Sequence, residues 1–485
     1  MSSENDSLAA LRELKIDGAT ITLLERDASP TLTLPDGRVL ENLPPRMVVR
    51  LMLNPAPGSN IQVEIWLPDA STWNCRLLGL GNGGAAGVIH SGALAGALAG
   101  GYAAVTTDLG TAPNSDSGIG NPEVWKDFGY RATHLMTVAA KQVVQAYYGK
   151  GPEFSYFTGG STGGQQALQE AQRYPEDYDG IVAAIPAHCR TPLHAYFLWN
   201  DQILRECPFT EAQEKSVIAA GNEYVAERET PVAAGNFVSD PRCDANDIEA
   251  MVALALKKDS TLEKEHANAL RKLFDGPRHA VTGERIFNGV PFGSSFEKAR
   301  GNLYLFRWVF GVDKDLADLN FGPDIDTYTA TLGLYLNAEN PDLSAFEKRG
   351  GKLIMTVGTA DSVVPYHASI DYYERVIEHL GSIGKVQSFF NFYIIPGMAH
   401  GGGPGINQPP SLLEVIQAWR EKGAAPAALP GKHWLDGNVE WEMPLYPYPA
   451  QTAWDAVTSS YREVKGPRGG VEPVAQRFRP PAATE

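Results

Sequence analysis

Phe154-Ser-Tyr-Phe-Thr-Gly-Gly-Ser-Thr-Gly-Gly-Gln-Gln-Ala-Leu168 carries three structural signals in a row. Phe154–Thr158 is a short apolar run that reads as a buried strand. Gly159-Gly160-Ser161-Thr162-Gly163 is a glycine-rich turn of the form G-x-S-x-G, and the segment from Thr162 to Tyr174 reads as a helix that Pro175 helps to end. A strand-to-helix turn this sharp forces its serine into a strained backbone conformation, which flanking glycines tolerate because they have no Cβ to clash. The Ser161 hydroxyl is thereby expected at a helix N-terminus, where the Thr162 N–H and the positive end of the helix dipole face a developing oxyanion.

Working outward, Ile61–Leu67 alternates apolar and polar as a half-exposed strand does, Arg76–Gly81 is an apolar run ending in glycines, and Tyr102–Asp108 is a buried-strand candidate. Leu135, Val138, Ala139, Val143 and Tyr147 recur at helical spacing over Ala132–Tyr148, and Gly180–Ile185 reads as the next strand. Past Pro186 the alternation stops until Lys352–Val357 (strand), Ala368–Leu380 (helix), Ser388–Ile395 (strand) and Ser411–Glu421 (helix) restore it. Strand–helix alternation on both sides of an interruption predicts an α/β fold of the α/β-hydrolase type, a mostly parallel sheet with an inserted lid domain. The expected division is a core over residues 1–190, an insertion over 191–335 rich in charged helical stretches such as Leu262–Phe274, and a second core segment with a tail over 336–485. From Pro467 the tail is rich in Pro, Gly and Arg and reads as an extended surface segment.

A serine hydroxyl is a weak nucleophile at neutral pH, so the chemistry needs an imidazole to accept its proton and a carboxylate to orient that imidazole. Asp361, in Val357-Gly-Thr-Ala-Asp-Ser-Val-Val-Pro365, and His400, in Pro396-Gly-Met-Ala-His-Gly-Gly-Gly403, each lie just beyond a predicted strand, where open α/β sheets place functional groups. The order Ser161, Asp361, His400 is that of an α/β-hydrolase triad. Thr162 supplies one oxyanion donor, and the second is assigned to Gly83 or Gly84 in the loop Gly81-Asn-Gly-Gly-Ala-Ala-Gly87.

Blander readings stand beside these. G-x-S-x-G alone is more often an incidental loop than a nucleophile turn, and only its placement and ordered partners reverse that. Asp361 could merely cap the next helix; His367, early in that helix, reads as a surface residue. His188 and Cys189 are neighbours on an extended chain and point opposite ways, which argues against a Cys/His pair. The loop Gly81–Gly87 lacks the Lys of a phosphate loop and the G-x-G-x-x-G spacing, so no nucleotide is expected.

Composition narrows the partners. With 43% hydrophobic and 20% charged residues the chain is globular rather than disordered, and its 485 residues suit a main domain carrying an insertion. A formal net charge of −16 opposes binding to nucleic acid or to an anionic membrane, leaving a small-molecule ester as the expected partner and no cofactor or metal. Met1–Ala9 lacks the basic start and apolar run of a secretory signal, and no apolar run is long enough to span a membrane. Cys75, Cys189, Cys207 and Cys243 show no metal-ligand spacing and read as free thiols, so a cytoplasmic location is expected.

The chain resembles the tannase and feruloyl esterase family, which includes the hydrolase of mono(hydroxyethyl) terephthalate. The resemblance lies in Asn82–Gly87, Asp127-Phe-Gly-Tyr-Arg131, Met136-Thr-Val-Ala-Ala140, Tyr156–Gly164 and Glu170-Ala-Gln-Arg-Tyr-Pro-Glu-Asp177. It resumes at Asp342–Phe346, Gly350–Leu353, Asp371–Glu374, Pro396–Met398 and Pro444-Leu-Tyr-Pro-Tyr-Pro449. It implies a lid inserted in a hydrolase core, a triad on Ser161, Asp361 and His400, and esters of aromatic acids of the feruloyl, galloyl or hydroxybenzoyl type as substrates. The chain departs from the family where a cysteine before the nucleophile and another after the histidine form a disulfide, for here Gly160 and Gly401 stand. Tyr446 replaces a further family cysteine, and the family's calcium loop finds no acidic residue between Glu229 and Asp240, so calcium is not expected. A disulfide contributes about 2–4 kcal/mol, and losing several together suits a compartment where they cannot form. Tyr196, Phe197, Trp199, Trp308 and Phe310 in the insertion are read mainly as lid core, with stacking on a phenolic ring as the alternative. Cleavage of an amide, lactone or carbon–carbon bond, and a hydrolase fold kept only for binding, are the competing functions.

Overall fold

The structure, a computed structural model, describes residues 2–228, 244–407, 411–455 and 457–469. The chain forms two compact units: Met1–Ala184 with Arg307–Gly311 and Leu343–Leu353, and Ile185–Phe306 with Val312–Asp342 and Ile354–Glu485.

The first unit contains the strands β1 (Ala19–Asp27), β2 (Arg46–Leu53), β3 (Ile61–Pro68), β4 (Arg76–Leu80), β5 (Ala103–Thr107), β6 (Phe154–Gly160) and β7 (Gly180–Ala184). They lie in the order β1-β2-β3-β5-β4-β6-β7. The pairs β1/β2, β2/β3 and β3/β5 are antiparallel, whereas β5/β4, β4/β6 and β6/β7 are parallel. Parallel neighbours need crossover connections, and the helices Ser91–Ala99, Ala132–Tyr148 and Thr162–Arg173 provide them. Gly149, left-handed at φ 72°, ends the long middle helix. The apolar runs read from the sequence become fully buried strands: every residue of β5 is buried, as are Leu77 to Leu80 of β4. Gly79 is required inside β4, because a Cβ there would lie 2.3 Å from the Tyr178 hydroxyl and 2.8 Å from the Phe157 ring.

The second unit carries β8 (Lys352–Gly358) from Ile354 onward, its neighbour β9 (Phe390–Ile395), and the helix His367–Leu380 between them in the chain. Strand β9 starts two residues later than the sequence suggests because the short helix Ile383–Gln387 and its cap, Ser388, occupy that stretch. The expected insertion is helical, with Arg190–Glu206, Glu211–Arg228, Ala245–Lys258, Lys264–Asp275 and Pro323–Leu336 as its main elements. Its local logic is visible at Asp244, whose carboxylate accepts from the Asn246 and Asp247 N–H groups while Asp247 answers the Asp244 N–H, a capping box. Ala267, Leu270 and Phe274 place an apolar stripe on Lys264–Asp275 that packs into a core with Met251, Val252, Phe287 and Phe296.

The sequence grouping of aromatics needs one correction. Trp308 and Phe310 fall in the first unit, where Trp308 donates to the Ser115 carbonyl at 2.6 Å and covers Gly118 so closely that a Cβ there would lie 2.1 Å from the ring. Tyr196 and Phe197 are buried core of the second unit, and Trp199 donates to the Lys272 carbonyl. No helix among the described residues is long and apolar enough to cross a membrane.

Candidate active site

Strand β6 ends at Gly160 and the helix begins at Thr162, leaving Ser161 alone at the turn with φ 57° and ψ −115°. A non-glycine residue at positive φ costs about 1–3 kcal/mol and persists only where its surroundings over-determine it. Here the Ser161 N–H donates to the Ala184 carbonyl at 3.1 Å, and its own carbonyl accepts from Gln165 N–H at 3.1 Å. The flanking glycines are steric requirements. A Cβ on Gly159 would sit 2.5 Å from the Gly163 carbonyl oxygen, and one on Gly81 would sit 2.6 Å from the Gly163 Cα. Backbone therefore touches backbone between the serine turn and the glycine loop that follows β4.

That loop is held at several points. Asn82 donates its N–H to Gln166 Oε1 at 2.8 Å and its side-chain amide to the Thr107 carbonyl at 2.7 Å, and its carbonyl accepts from Gly163 N–H at 2.7 Å. Gly83 follows, then Gly84 at φ 56°, whose carbonyl accepts from the Thr162 hydroxyl at 2.6 Å. Further along, the Thr111 hydroxyl donates to the Ala85 carbonyl and the Gly87 N–H to the Asp108 carbonyl. Asp108 is almost fully buried, with Oδ1 accepting from the Gln62 and Gly110 N–H groups. Burial pushes its carboxyl up to about 6.

In the second unit, Asp361 and His400 come together. The loops after β8 and β9 touch through backbone: the Ala360 N–H donates to the Met398 carbonyl, the Gly397 N–H to the Thr359 hydroxyl, and a Cβ on Gly358 would lie 2.1 Å from the Met398 oxygen. Asp361 is fully buried; its Oδ1 accepts from the Val363 and Val364 N–H groups, each at 2.8 Å, and its Oδ2 lies 2.8 Å from His400 Nδ1. An ionised carboxylate only accepts, so Nδ1 carries the hydrogen and Nε2 is left as a base. Tyr196, from the helix Arg190–Glu206, donates to the Ser362 carbonyl at 2.9 Å and braces this loop.

His188 and His367, the other histidines near the candidate elements, are held by packing. His188 is buried against Tyr372 and its pKa falls to about 3 through desolvation; burial likewise pushes the Cys189 thiol up, away from thiolate chemistry. His367 is half-buried and stacked on Tyr366, not the surface residue its early helical position suggests. One described group of ligand-type atoms lies close together, His134, Glu170 and Asp177, within 4.8 Å of one another. His134 Nδ1 already bonds Asp177 Oδ2 at 2.6 Å, and Lys141 Nζ stands 4.0 Å from Asp177 Oδ1, so the cluster has its own proton and cation. Cys75, Cys189 and Cys207 are free thiols; Cys243 and the stretch between Glu229 and Asp240 lie outside the described residues.

A family model described as tannase and feruloyl esterase matches residues 47–312 and 312–465. An uncharacterized esterase of Xanthomonas campestris pv. campestris is 29% identical, over 93% of this chain and 89% of its own length. Feruloyl esterase B of Aspergillus niger is 31% identical over 83% and 82%. The crystal structure of feruloyl esterase B from Aspergillus oryzae superposes with a TM-score of 0.80 at 23% identity, covering 95% of this chain and all of that one, which establishes the α/β-hydrolase fold. The chain is an ester hydrolase and belongs to the tannase and feruloyl esterase family.

Proposed function

We propose that the chain hydrolyses small esters of aromatic acids through an acyl-enzyme on Ser161. His400 takes the hydroxyl proton on Nε2 while Ser161 Oγ attacks the ester carbonyl; Asp361 orients the ring and stabilises the imidazolium. The Thr162 N–H and that of Gly83 or Gly84 receive the oxyanion, since the Gly163 N–H is already engaged by the Asn82 carbonyl. His400 then gives its proton to the departing alcohol, and water, activated by the same imidazole, releases the acid. The observation that carries this reading is the buried carboxylate–imidazole pair, Asp361 Oδ2 to His400 Nδ1 at 2.8 Å, in a chain whose Ser161 is strained at a helix start. Relatives named feruloyl esterases support aromatic acids as the acyl group. In the same reading the helices over 191–335 act as a lid, and the free thiols suit a cytoplasmic enzyme meeting small imported esters.

Ser161→Ala is expected to lower kcat on the order of a millionfold, as loss of a triad nucleophile does elsewhere, and to abolish labelling by a fluorophosphonate. A Ser161→Ala protein with full esterase activity would end the proposal. Hydrolysis of methyl ferulate, methyl gallate and methyl hydroxybenzoate, beside short aliphatic esters and matched amides, tests the substrate: preference for aliphatic esters removes the aromatic assignment and leaves the mechanism.

A further inference from the structure

We propose that the side chains of Thr162 and Gln166 are positioning groups of the oxyanion hole, clamping the glycine loop to the nucleophile's helix and so fixing the separation of the two amide donors. The inference rests on the reading of Ser161 as nucleophile.

Two N–H groups from distant parts of a chain stabilise one oxyanion only if their separation is held closely, because a small misplacement forfeits much of the stabilisation. Within the loop one backbone bond, Ala86 N–H to the Gly83 carbonyl at 3.0 Å, turns the chain. Gly83 and Gly84 have open space where a Cβ would be, and Gly84 sits at φ 56°, so no side-chain packing of their own holds the loop against the helix.

Constraint arrives from residues 162, 163 and 166 of one helix. Gln166 is buried, accepts from the Asn82 N–H at 2.8 Å and donates through Nε2 to the Thr133 hydroxyl at 2.9 Å, so its carboxamide cannot flip without setting its NH2 against the Asn82 N–H. The Thr162 hydroxyl donates to the Gly84 carbonyl at 2.6 Å. Together with the Gly163–Asn82 backbone bond, these fasten the chain immediately before Gly83 and at Gly84. The backbone bond uses no side chain, and a Cβ on Gly163 would crowd it, 3.1 Å from the Asn82 carbonyl oxygen; the other two bonds exist because position 162 carries a hydroxyl and position 166 an amide.

The test compares Thr162→Val, Thr162→Ser and Gln166→Met with wild type, reading kcat and KM on one cleaved ester, melting temperature, and inhibition by an arylboronic acid that forms a tetrahedral adduct on the serine. Thr162→Val and Gln166→Met are expected to lower kcat by about tenfold or more with KM within about threefold, and to weaken boronate inhibition by the same factor. Thr162→Ser, which keeps the hydroxyl, is expected to stay near wild type. The proposal is overturned if both variants keep wild-type kcat, or if activity falls with melting temperature while boronate affinity holds. Should Thr162→Val not fold, Gln166→Met decides by the same measurements. An inactive Ser161→Ala beside fully active Thr162→Val and Gln166→Met sinks this inference alone, whereas an active Ser161→Ala sinks the reading beneath it.

Discussion

His400 Nδ1 lies 2.8 Å from Oδ2 of Asp361, while the other oxygen of that carboxylate is held by two backbone N–H groups. The carboxylate therefore has one orientation, and so does the imidazole it holds. Asp361→Asn keeps the shape but offers His400 either an amide N–H or a neutral oxygen, and the ring loses the partner that fixes its tautomer. The expected result is a fall in kcat of about three to four orders of magnitude with little change in KM, read by steady-state kinetics on any cleaved ester. A loss below about tenfold would show that Asp361 does not govern the imidazole.

The glycines of the serine turn are expected to behave as core residues. Gly81→Ala and Gly159→Ala each drive a Cβ to 2.6 Å or less from Gly163 backbone, which cannot give way as a flexible side chain would. Each should cost about 2–4 kcal/mol in urea unfolding and most of the esterase activity, comparable with severe overpacking. Gly83→Ala, with open space at its Cβ, should fold with near wild-type stability. If Gly81→Ala is as stable as Gly83→Ala, backbone contact between loop and turn is not what the sequence is conserving space for.

What could be read from the chain, and what could not, follows from how local each signal is. The serine turn is encoded within ten residues, so strand, strain and helix were legible together, and the pairing of Asp361 with His400 follows from both falling just past apolar runs that become neighbouring strands. The pairing of Asn82 with Gln166 spans 84 positions and leaves no local mark. Trp308 looks like any aromatic of the helical insertion, yet its segment packs in the first unit over Gly118. The antiparallel strands β1 and β2 escaped because β1 is half-exposed at the end of the strand row and β2 is too uniformly apolar to alternate. The hairpin pairing Leu429–Leu435 with Asn438–Leu445 was missed although it had a local signal, Asp436-Gly437, both at positive φ, the residue pair such a tight turn favours.

Asp108 makes stability depend on pH. Its carboxyl, ordinarily near 3.8, titrates at about 6 in the fold because burial opposes its charge and the neighbouring Asp127 adds to that. The folded protein thus holds a proton that the unfolded chain has already released between about pH 4 and 6. The contribution is complete at low pH and is lost as pH rises through 6, for a difference of about 2–3 kcal/mol. Asp108→Asn keeps Oδ1 for the Gln62 and Gly110 N–H groups and removes the titration. Relative to wild type it should gain stability between pH 4.5 and 7 in urea melts, and a constant difference over that range would refute the assignment.

Glu170 presents the sharper case of a buried acid. It is fully buried, and burial, followed by the charge of the adjacent Asp177 carboxylate, pushes its carboxyl well above the usual range. An ionised carboxylate so placed is far costlier than a neutral acid, so the site favours the protonated side chain. While that proton is held, Glu170→Gln exchanges one neutral group for another of the same shape and should change stability by no more than about 1 kcal/mol. Asp177→Asn removes a charge that His134 and Lys141 both use and should cost more, about 1–3 kcal/mol. The pH dependence separates them further: the Glu170 contribution is present below the ordinary glutamate range and lost as pH rises through its raised value, so Glu170→Gln should improve relative to wild type as pH rises above the ordinary glutamate range. A Glu170→Gln protein that is more than about 3 kcal/mol less stable at pH 8 would mean that the position carries a charge after all.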